Sequence, residues 1–264
     1  MKNKALAVLF LTIFLDLMGF GLIIPILPTY AKTLGATDAM VGLLGTSFSI
    51  MQFIFASFWG GLSDKYGRRP IMLVSIGIMV VAYVLFANAT VLWLLFATRL
   101  LKGFGAANLS VAQAYISDVV PQDQRTKAFG FIGAAFGLGF IFGPSIGGVI
   151  NEYYGVSGVG YFAAILGGVN FLMAWLYLKE SLVEKSATSD LFPNPFKDLV
   201  RFRHIPEVNA LFTINFVYVL GFSMMQITAT LLWAEHFGLS EMHIGYVFAY
   251  IGLLAVIIQG GLIG

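Results

Sequence analysis

Three ionisable side chains lie inside long apolar stretches of this sequence, namely Asp16, Arg99 and Lys102. A charge at the centre of a lipid bilayer costs about 2.5–3.5 kcal/mol on insertion scales. Asp16 must therefore face a cation, water or a bound proton, and a structural ion pair is one such arrangement. Lys102 lies one helical turn from Arg99, so the two cations repel each other unless an acid or an anionic ligand lies between them.

The composition indicates a protein that is solvated mainly by lipid. The hydrophobic fraction is 59%, the charged fraction 11% and the mean hydropathy +0.88, whereas a soluble domain is about 45–50% apolar and about 25% charged. The net charge is +2, and no basic patch interleaved with aromatic residues indicates nucleic acid.

The sequence predicts no cofactor, no metal site and no catalytic residues. It contains no cysteine, and its three histidines are scattered. It lacks the Gly-Lys-Ser/Thr pattern that binds nucleotide phosphates, so ATP is not expected to drive its activity.

Eight apolar spans are expected, each near the ~20 residues that cross a bilayer. They lie at 5–29, 41–61, 70–89, 91–117, 127–151, 158–179, 207–234 and 241–264. Residues 1–179 should form a six-helix transmembrane bundle, 180–205 a charged cytoplasmic linker, and 206–264 the first two helices of a second, incomplete bundle. We therefore expect an all-α membrane protein that is truncated at its C-terminus.

Basic residues predict the orientation, because they concentrate on the cytoplasmic side of membrane proteins. With the N-terminus inside, twelve lysines and arginines lie in inner segments, and Lys32 alone lies outside. A multi-pass protein of the cell membrane with a cytoplasmic N-terminus is expected.

An internal repeat relates the two predicted bundles. Gly19-Phe20 recurs as Gly221-Phe222, and the segment 35–42 recurs as 238–245. Each copy of the longer segment places a predicted N-cap hydroxyl, Thr37 or Ser240, and then an acid before an apolar helix. Parallel halves of this kind occur in secondary transporters.

A charged segment at 60–70 carries a spaced set of Gly, Asp and Arg residues. The set comprises Gly60, Asp64, Gly67, Arg68 and Arg69. It resembles the Gly-x-Leu-Ser/Ala-Asp-Arg/Lys-x-Gly-Arg-Arg/Lys loop signature of the major facilitator superfamily, and an ordinary basic membrane turn is the alternative. The resemblance implies that Asp64 and Arg68, together with Asp118, form a cytoplasmic latch of the outward-open state.

Two further motifs narrow the resemblance to proton-linked exporters. The fifth span carries a glycine pattern similar to the antiporter motif, at Gly130, Gly139, Gly143, Pro144, Gly147 and Gly148. The segment 99–107 resembles the Arg-x-x-x-Gly-x-Gly-x-Ala motif of the same superfamily. For the glycines, a generic packing face is the alternative reading.

One face of the fourth span is expected to line a cavity. Arg99, Lys102, Ser110 and Gln113 share this face in a continuous helix. The first span, with Asp16, resembles that of tetracycline and multidrug antiporters, where an acid here binds a proton or cation. Gln52 matches a polar site of the tetracycline branch, although a helix-packing hydrogen bond would explain it equally well.

The resemblance implies proton-coupled export of a small amphipathic compound, a drug such as a tetracycline-like molecule. Asp16 would carry the proton, Arg99 would regulate Asp16, and the transporter would be monomeric at full length. A metabolite or sugar-phosphate exporter, and a truncated chain that does not transport, are the alternatives. The partners expected are the small-molecule substrate, protons and the lipid bilayer.

Overall fold

A computed structural model describes residues 2–106, 108–182 and 204–261 of the chain. Within these ranges the regular structure is helical, so the expectation of an all-α fold is confirmed. The expected linker at 180–205 lies outside the described residues from 183 to 203, and so do residues 262–264 of the last expected span.

The described residues form nine α-helices, which we number in chain order. They are α1 (Lys2–Ile23), α2 (Leu27–Thr33), α3 (Asp38–Tyr66), α4 (Arg68–Ala87), α5 (Leu92–Phe104), α6 (Asn108–Val119), α7 (Arg125–Tyr177), α8 (Pro206–Glu235) and α9 (Glu241–Gly261). A short 3₁₀ turn at Gln122–Gln124 precedes α7. Five stretches are long and apolar enough to cross a membrane, at Ala7–Thr33, Asp38–Tyr66, Arg68–Ala87, Gln122–Tyr177 and Pro206–Glu235.

The expected N-caps of the repeat are present in both copies. The Thr37 hydroxyl accepts a hydrogen bond from the Met40 amide at 3.3 Å, and the Ser240 hydroxyl accepts one from the His243 amide at 3.4 Å. Each cap satisfies an amide that the first helical turn leaves without a partner. The sequence repeat therefore corresponds to a repeated helix start.

The fifth and sixth expected spans form the two arms of α7, which reverses at Gly155. This glycine has φ +66° and ψ −178°, a backbone conformation that residues other than glycine rarely adopt. Both ends of α7 lie beside α6, because Arg125 Nη2 donates to the Ser117 carbonyl at 2.7 Å and the Tyr115 hydroxyl donates to the Lys179 carbonyl at 2.9 Å. The arms are therefore antiparallel.

The fourth expected span is divided into α5 and α6, which corrects the prediction of one continuous helix. The break follows Phe104, and other helices satisfy the two carbonyls released there. The Trp59 indole donates to the Phe104 carbonyl at 2.5 Å, and the Ser75 hydroxyl donates to the Gly105 carbonyl. Interrupted helices are tolerated at membrane depth when neighbouring helices satisfy the freed groups.

The charged segment at 60–70 is mostly helical rather than a long turn. α3 continues to Tyr66, and α4 begins at Arg68, so Gly67 alone joins them with φ +113°. Pro70 is the third residue of α4. A proline is tolerated there because first-turn amides lack partners within the helix.

α3 separates two ends of the molecule by roughly 43 Å, given its 29 residues. We call them the Arg68 end (63–69, 117–125 and 175–182) and the Lys32 end (30–38, 151–155 and 235–241). A cluster of buried apolar side chains fills the half toward each end, around Tyr115 and Met72 in one and around Leu22 and Phe86 in the other.

Candidate functional site

Lys102 is buried in an aromatic environment between α1, α4 and α5. Its side chain is only 3% exposed. The ammonium lies 4.3 Å from the Tyr83 ring centroid and 5.1 Å from that of Phe20, and Nζ donates a hydrogen bond to the Tyr83 hydroxyl at 2.8 Å. Aromatic faces attract a cation at these distances.

Arg99 lies one turn away and is also held by aromatic rings. The guanidinium carbon is 4.9 Å from the Phe48 ring centroid and 6.0 Å from that of Phe20. The residue is 5% exposed, and its Nε is buried without a hydrogen-bond partner among the described residues. The structure thus places two cations side by side at mid-height, that is, about midway between the Arg68 end and the Lys32 end.

Asp16 supplies negative charge to this region. It is half-buried and lies four residues before Phe20 on α1, so the two side chains share the helix face that borders Lys102. One turn further on, Gly19 faces the Tyr83 hydroxyl, which would lie 2.5 Å from a Cβ at that position. A glycine is therefore needed there for Tyr83 to reach Lys102. The sequence predicted the three charges but missed Tyr83 and Phe48.

The other predicted cavity residues are spread around the break in the fourth span. Ser110 and Gln52 are half-buried on α6 and α3, and Gln113 is exposed. Because the helix is interrupted after Phe104, the single polar face predicted from Arg99 to Gln113 does not extend along one continuous helix.

The structure brings together the three charges predicted at the Arg68 end. Arg68 Nη1 lies 2.6 Å from Asp64 Oδ1, and Arg68 Nε lies 3.1 Å from Asp118 Oδ2. Nη1 also donates to the Ser63 hydroxyl at 2.6 Å. The Arg68 side chain is 9% exposed, whereas that of Asp64 is 43% exposed. Arg68 is the centre of a network that joins α3, α4 and α6.

Glu180 completes this network, although the sequence analysis assigned it to the linker. Its carboxylate accepts hydrogen bonds from the amides of Arg68 at 2.8 Å and Arg69 at 3.2 Å. A carboxylate is favoured at a helix N-terminus because of the helix dipole. A Cβ at Gly67 would contact the same carboxylate. The motif glycine therefore leaves room for Glu180.

Arg69, the last predicted member of this set, lies apart from the Asp64 and Asp118 pair. Its Nη2 donates to the Trp175 carbonyl at 2.6 Å, which links the start of α4 to the end of α7. Gly60, another member of the set, has open space around it, and a Cβ there would have no other residue within 4 Å.

Most glycines of the antiporter-like motif pack against other backbones. Gly139 and Gly143 face α1 near Leu17 and Gly21, and Gly147 faces the backbone of Leu22. On the other side, Gly148 faces the backbone of Glu241 in α9, and the Pro144 carbonyl faces Gly245. The first arm of α7 is thus packed between α1 and α9. Gly130 has open space and does not share this packing.

The Lys32 end joins the two halves of the repeat. Lys32 forms an ion pair with Asp38 at the start of α3, and its Nζ also lies 3.5 Å from Glu235 at the end of α8. At mid-height the ring centroid of Phe140 lies 6.4 Å from that of Phe20 and 5.9 Å from that of Phe222. The equivalent phenylalanines of the repeat therefore both pack against the Phe140 ring.

The family model for the Major Facilitator Superfamily matches residues 9–264. The chain is 40% identical over 186 residues to the class G tetracycline resistance protein of Vibrio anguillarum, covering 69% of the chain and 46% of that protein. It is 32% identical over 267 residues to the class C tetracycline resistance protein of Escherichia coli, covering 100% of the chain and 67% of that protein. The chain thus spans about half to two thirds of the length of these relatives.

A solved structure is also similar. The crystal structure of the human organic anion transporter MFSD10 (TETRAN) superposes with a TM-score of 0.79 at 26% identity, covering 98% of the chain and 72% of that protein.

Proposed function

The chain belongs to the major facilitator superfamily, and on that premise we propose that it is a multi-pass transporter that exports a small amphipathic compound in exchange for protons. A drug of the tetracycline type is the substrate class that its relatives favour, because two of them are named as tetracycline resistance proteins.

The observation that carries the proposal is the charged group at mid-height. Asp16 shares a face of α1 with Phe20, and the cations of Lys102 and Arg99 both lie within about 6 Å of the Phe20 ring centroid. A carboxylate so placed binds a proton when its surroundings are apolar and releases it when water or a cation approaches. A cationic group on the substrate would compete with the proton, which is the linkage that exchange requires.

We place the Arg68 end in the cytoplasm and the Lys32 end outside, at the cell membrane. The concentration of basic residues at the Arg68 end supports this orientation. A cysteine introduced at Asp123 in the 3₁₀ turn should then be protected from an impermeant thiol reagent applied to intact cells. Labelling of that cysteine from outside would reverse the orientation.

Proton movement in reconstituted vesicles tests the function. A panel of tetracycline-like and other amphipathic compounds should drive proton flux through vesicles that contain this chain, and Asp16→Asn should abolish the flux without reducing membrane insertion. Asp123→Asn, an exposed acid remote from the site, is the matched control and should retain it. Flux and pH dependence that survive in Asp16→Asn would contradict the assignment of the coupling acid.

A second candidate is export of an anionic metabolite, such as a sugar phosphate. The pair of buried cations, Arg99 and Lys102, favours it, and the MFSD10 protein is named as an organic anion transporter. The sign of the linkage separates the candidates. Protonation of Asp16 should weaken binding of a cation and strengthen binding of an anion, so affinity measured against pH has opposite slopes.

A further inference from the structure

The surroundings of the Lys102 ammonium have the composition of a binding site for an organic cation. Two aromatic faces, Tyr83 and Phe20, lie within about 5 Å of Nζ, and Asp16 lies one helical turn before Phe20 on the same face of α1. Aromatic cages of this kind bind quaternary and primary ammonium groups. The occupant of this cage is a side chain of the protein itself.

We infer that Lys102 is a tethered cation that occupies the cation site formed by Asp16, Phe20 and Tyr83, and so determines which substrates are accepted. The inference rests on the proposed function, because it concerns the substrate class of the same site. Compounds with a permanent positive charge bind weakly to the wild-type protein, because they must displace Lys102 before they reach Asp16.

Attachment to the chain makes Lys102 an effective competitor. A tethered group binds its site with the advantage of a high effective concentration, which a free ligand must overcome. The hydrogen bond to the Tyr83 hydroxyl at 2.8 Å fixes the ammonium further. Gly19 contributes as well, since a Cβ there would contact that hydroxyl. Four residues on two helices, α1 and α4, therefore hold Lys102 in the cage.

Removal of the tethered charge should open the site. In Lys102→Gln the amide can still bond to Tyr83, but the charge is gone, while Asp16 and both rings remain. We expect benzyltrimethylammonium, measured by calorimetry on the chain in lipid nanodiscs, to bind about tenfold or more tighter than to the wild type. Its isosteric neutral analogue neopentylbenzene should bind equally to both.

Three variants separate displacement of charge from loosening of the fold. Lys102→Arg keeps a cation and should bind as weakly as the wild type. Lys102→Met keeps the unbranched stem and should show the same gain in affinity for benzyltrimethylammonium as Lys102→Gln. It replaces Lys102→Gln in the experiment if that variant does not fold. The double variant Asp16→Asn/Lys102→Gln should lose the gain, because the carboxylate is absent.

The inference is overturned if neither neutral variant binds benzyltrimethylammonium more tightly, if Lys102→Arg gains as much as they do, or if the gain persists without Asp16. The proton-flux experiment on the wild type keeps this result distinct from the proposed function. Asp16-dependent flux without a gain in Lys102→Gln rejects the tethered cation alone. A gain in binding without any flux rejects proton-coupled export and leaves the tethered cation standing.

Discussion

The two ends of the molecule are held together by different kinds of contact. At the Arg68 end, a buried guanidinium and the carboxylates of Asp64, Asp118 and Glu180 link helices of the same bundle. Toward the Lys32 end, glycine backbones pack directly on α1 and α9, and an exposed ion pair reaches from α2 to α8. The first arrangement stays within one bundle, whereas the contacts with α8 and α9 join the two halves of the repeat.

The two kinds of contact differ in how readily they can rearrange. Backbone packing tolerates little rearrangement, since a small gap already loses much of the dispersion energy. Charged side chains, in contrast, can exchange partners. The chain therefore combines rigid backbone contacts toward the Lys32 end with exchangeable side-chain contacts at the Arg68 end.

The largest effect is expected from a side chain inserted into the glycine packing. In Gly147→Ala the new methyl group would meet the backbone of Leu22, which cannot rotate away. We expect a loss of about 3 kcal/mol in the free energy of unfolding, at the upper end of overpacking. Gly130→Ala is the matched control from the same motif, and it should be neutral or stabilising by less than about 1 kcal/mol.

Reversible unfolding in mixed micelles, followed by helical circular dichroism, measures both variants. Equal stability of the two variants would show that the glycine contacts are not decisive at this end.

The next effect concerns Gly67 and Glu180. Gly67 has φ +113°, and its Cβ position contacts the Glu180 carboxylate. Gly67→Ala should cost about 2 kcal/mol because both the backbone conformation and the contact are unfavourable for alanine.

The same substitution in a Glu180→Ala background should cost less, because only the backbone term remains. A cost that is unchanged by Glu180→Ala would mean that the carboxylate does not occupy the space beside Gly67.

The sequence predicted the elements that depend on short spacing and missed those that depend on register between distant helices. Thr37 and Ser240 were found as N-caps because a cap and its helix are adjacent in the chain. Asp64 and Arg68 were paired because they are only four positions apart across the junction between α3 and α4. Glu180, in contrast, lies 112 residues from Arg68, and no local pattern connects them.

The mid-height site shows the same limit. A charge in an apolar stretch is visible in the sequence, so Asp16, Arg99 and Lys102 were predicted. Tyr83 resembles any other aromatic residue of a membrane helix, and its contact with Lys102 depends on how α4 and α5 pack. The break after Phe104 also went unpredicted, because Trp59 and Ser75 satisfy its carbonyls from other helices.

The third effect compares the two acids of the Arg68 network. The Asp118 side chain is 20% exposed and that of Asp64 is 43% exposed, so solvent screens Asp64 more. Asp118→Asn should destabilise the protein by about 1 kcal/mol, and Asp64→Asn by less. Lys127→Gln removes an exposed charge near this end and is the control.

If the network also acts as a latch in transport, Asp64→Asn should reduce substrate-driven proton flux at normal expression. Flux equal to that of the wild type would leave the network with a structural role only.

The smallest effect is expected at the ion pair that joins the two halves. Lys32 is shared between Asp38 and Glu235, and the Glu235 side chain is 61% exposed. Since Asp38 continues to neutralise Lys32 when Glu235 moves away, separation of α8 from α2 leaves no unpaired lysine. Glu235→Gln should therefore change the distance between spin labels on α2 and α8 in only a small fraction of molecules, and raised salt should mimic it in the wild type.

Asp38→Asn should have the opposite effect, because Lys32 then depends on Glu235 alone and the contact between the two halves becomes stronger. If Glu235→Gln instead separated the two helices in most molecules, the ion pair rather than the glycine packing would hold the Lys32 end together, and the contrast between the two ends would be wrong.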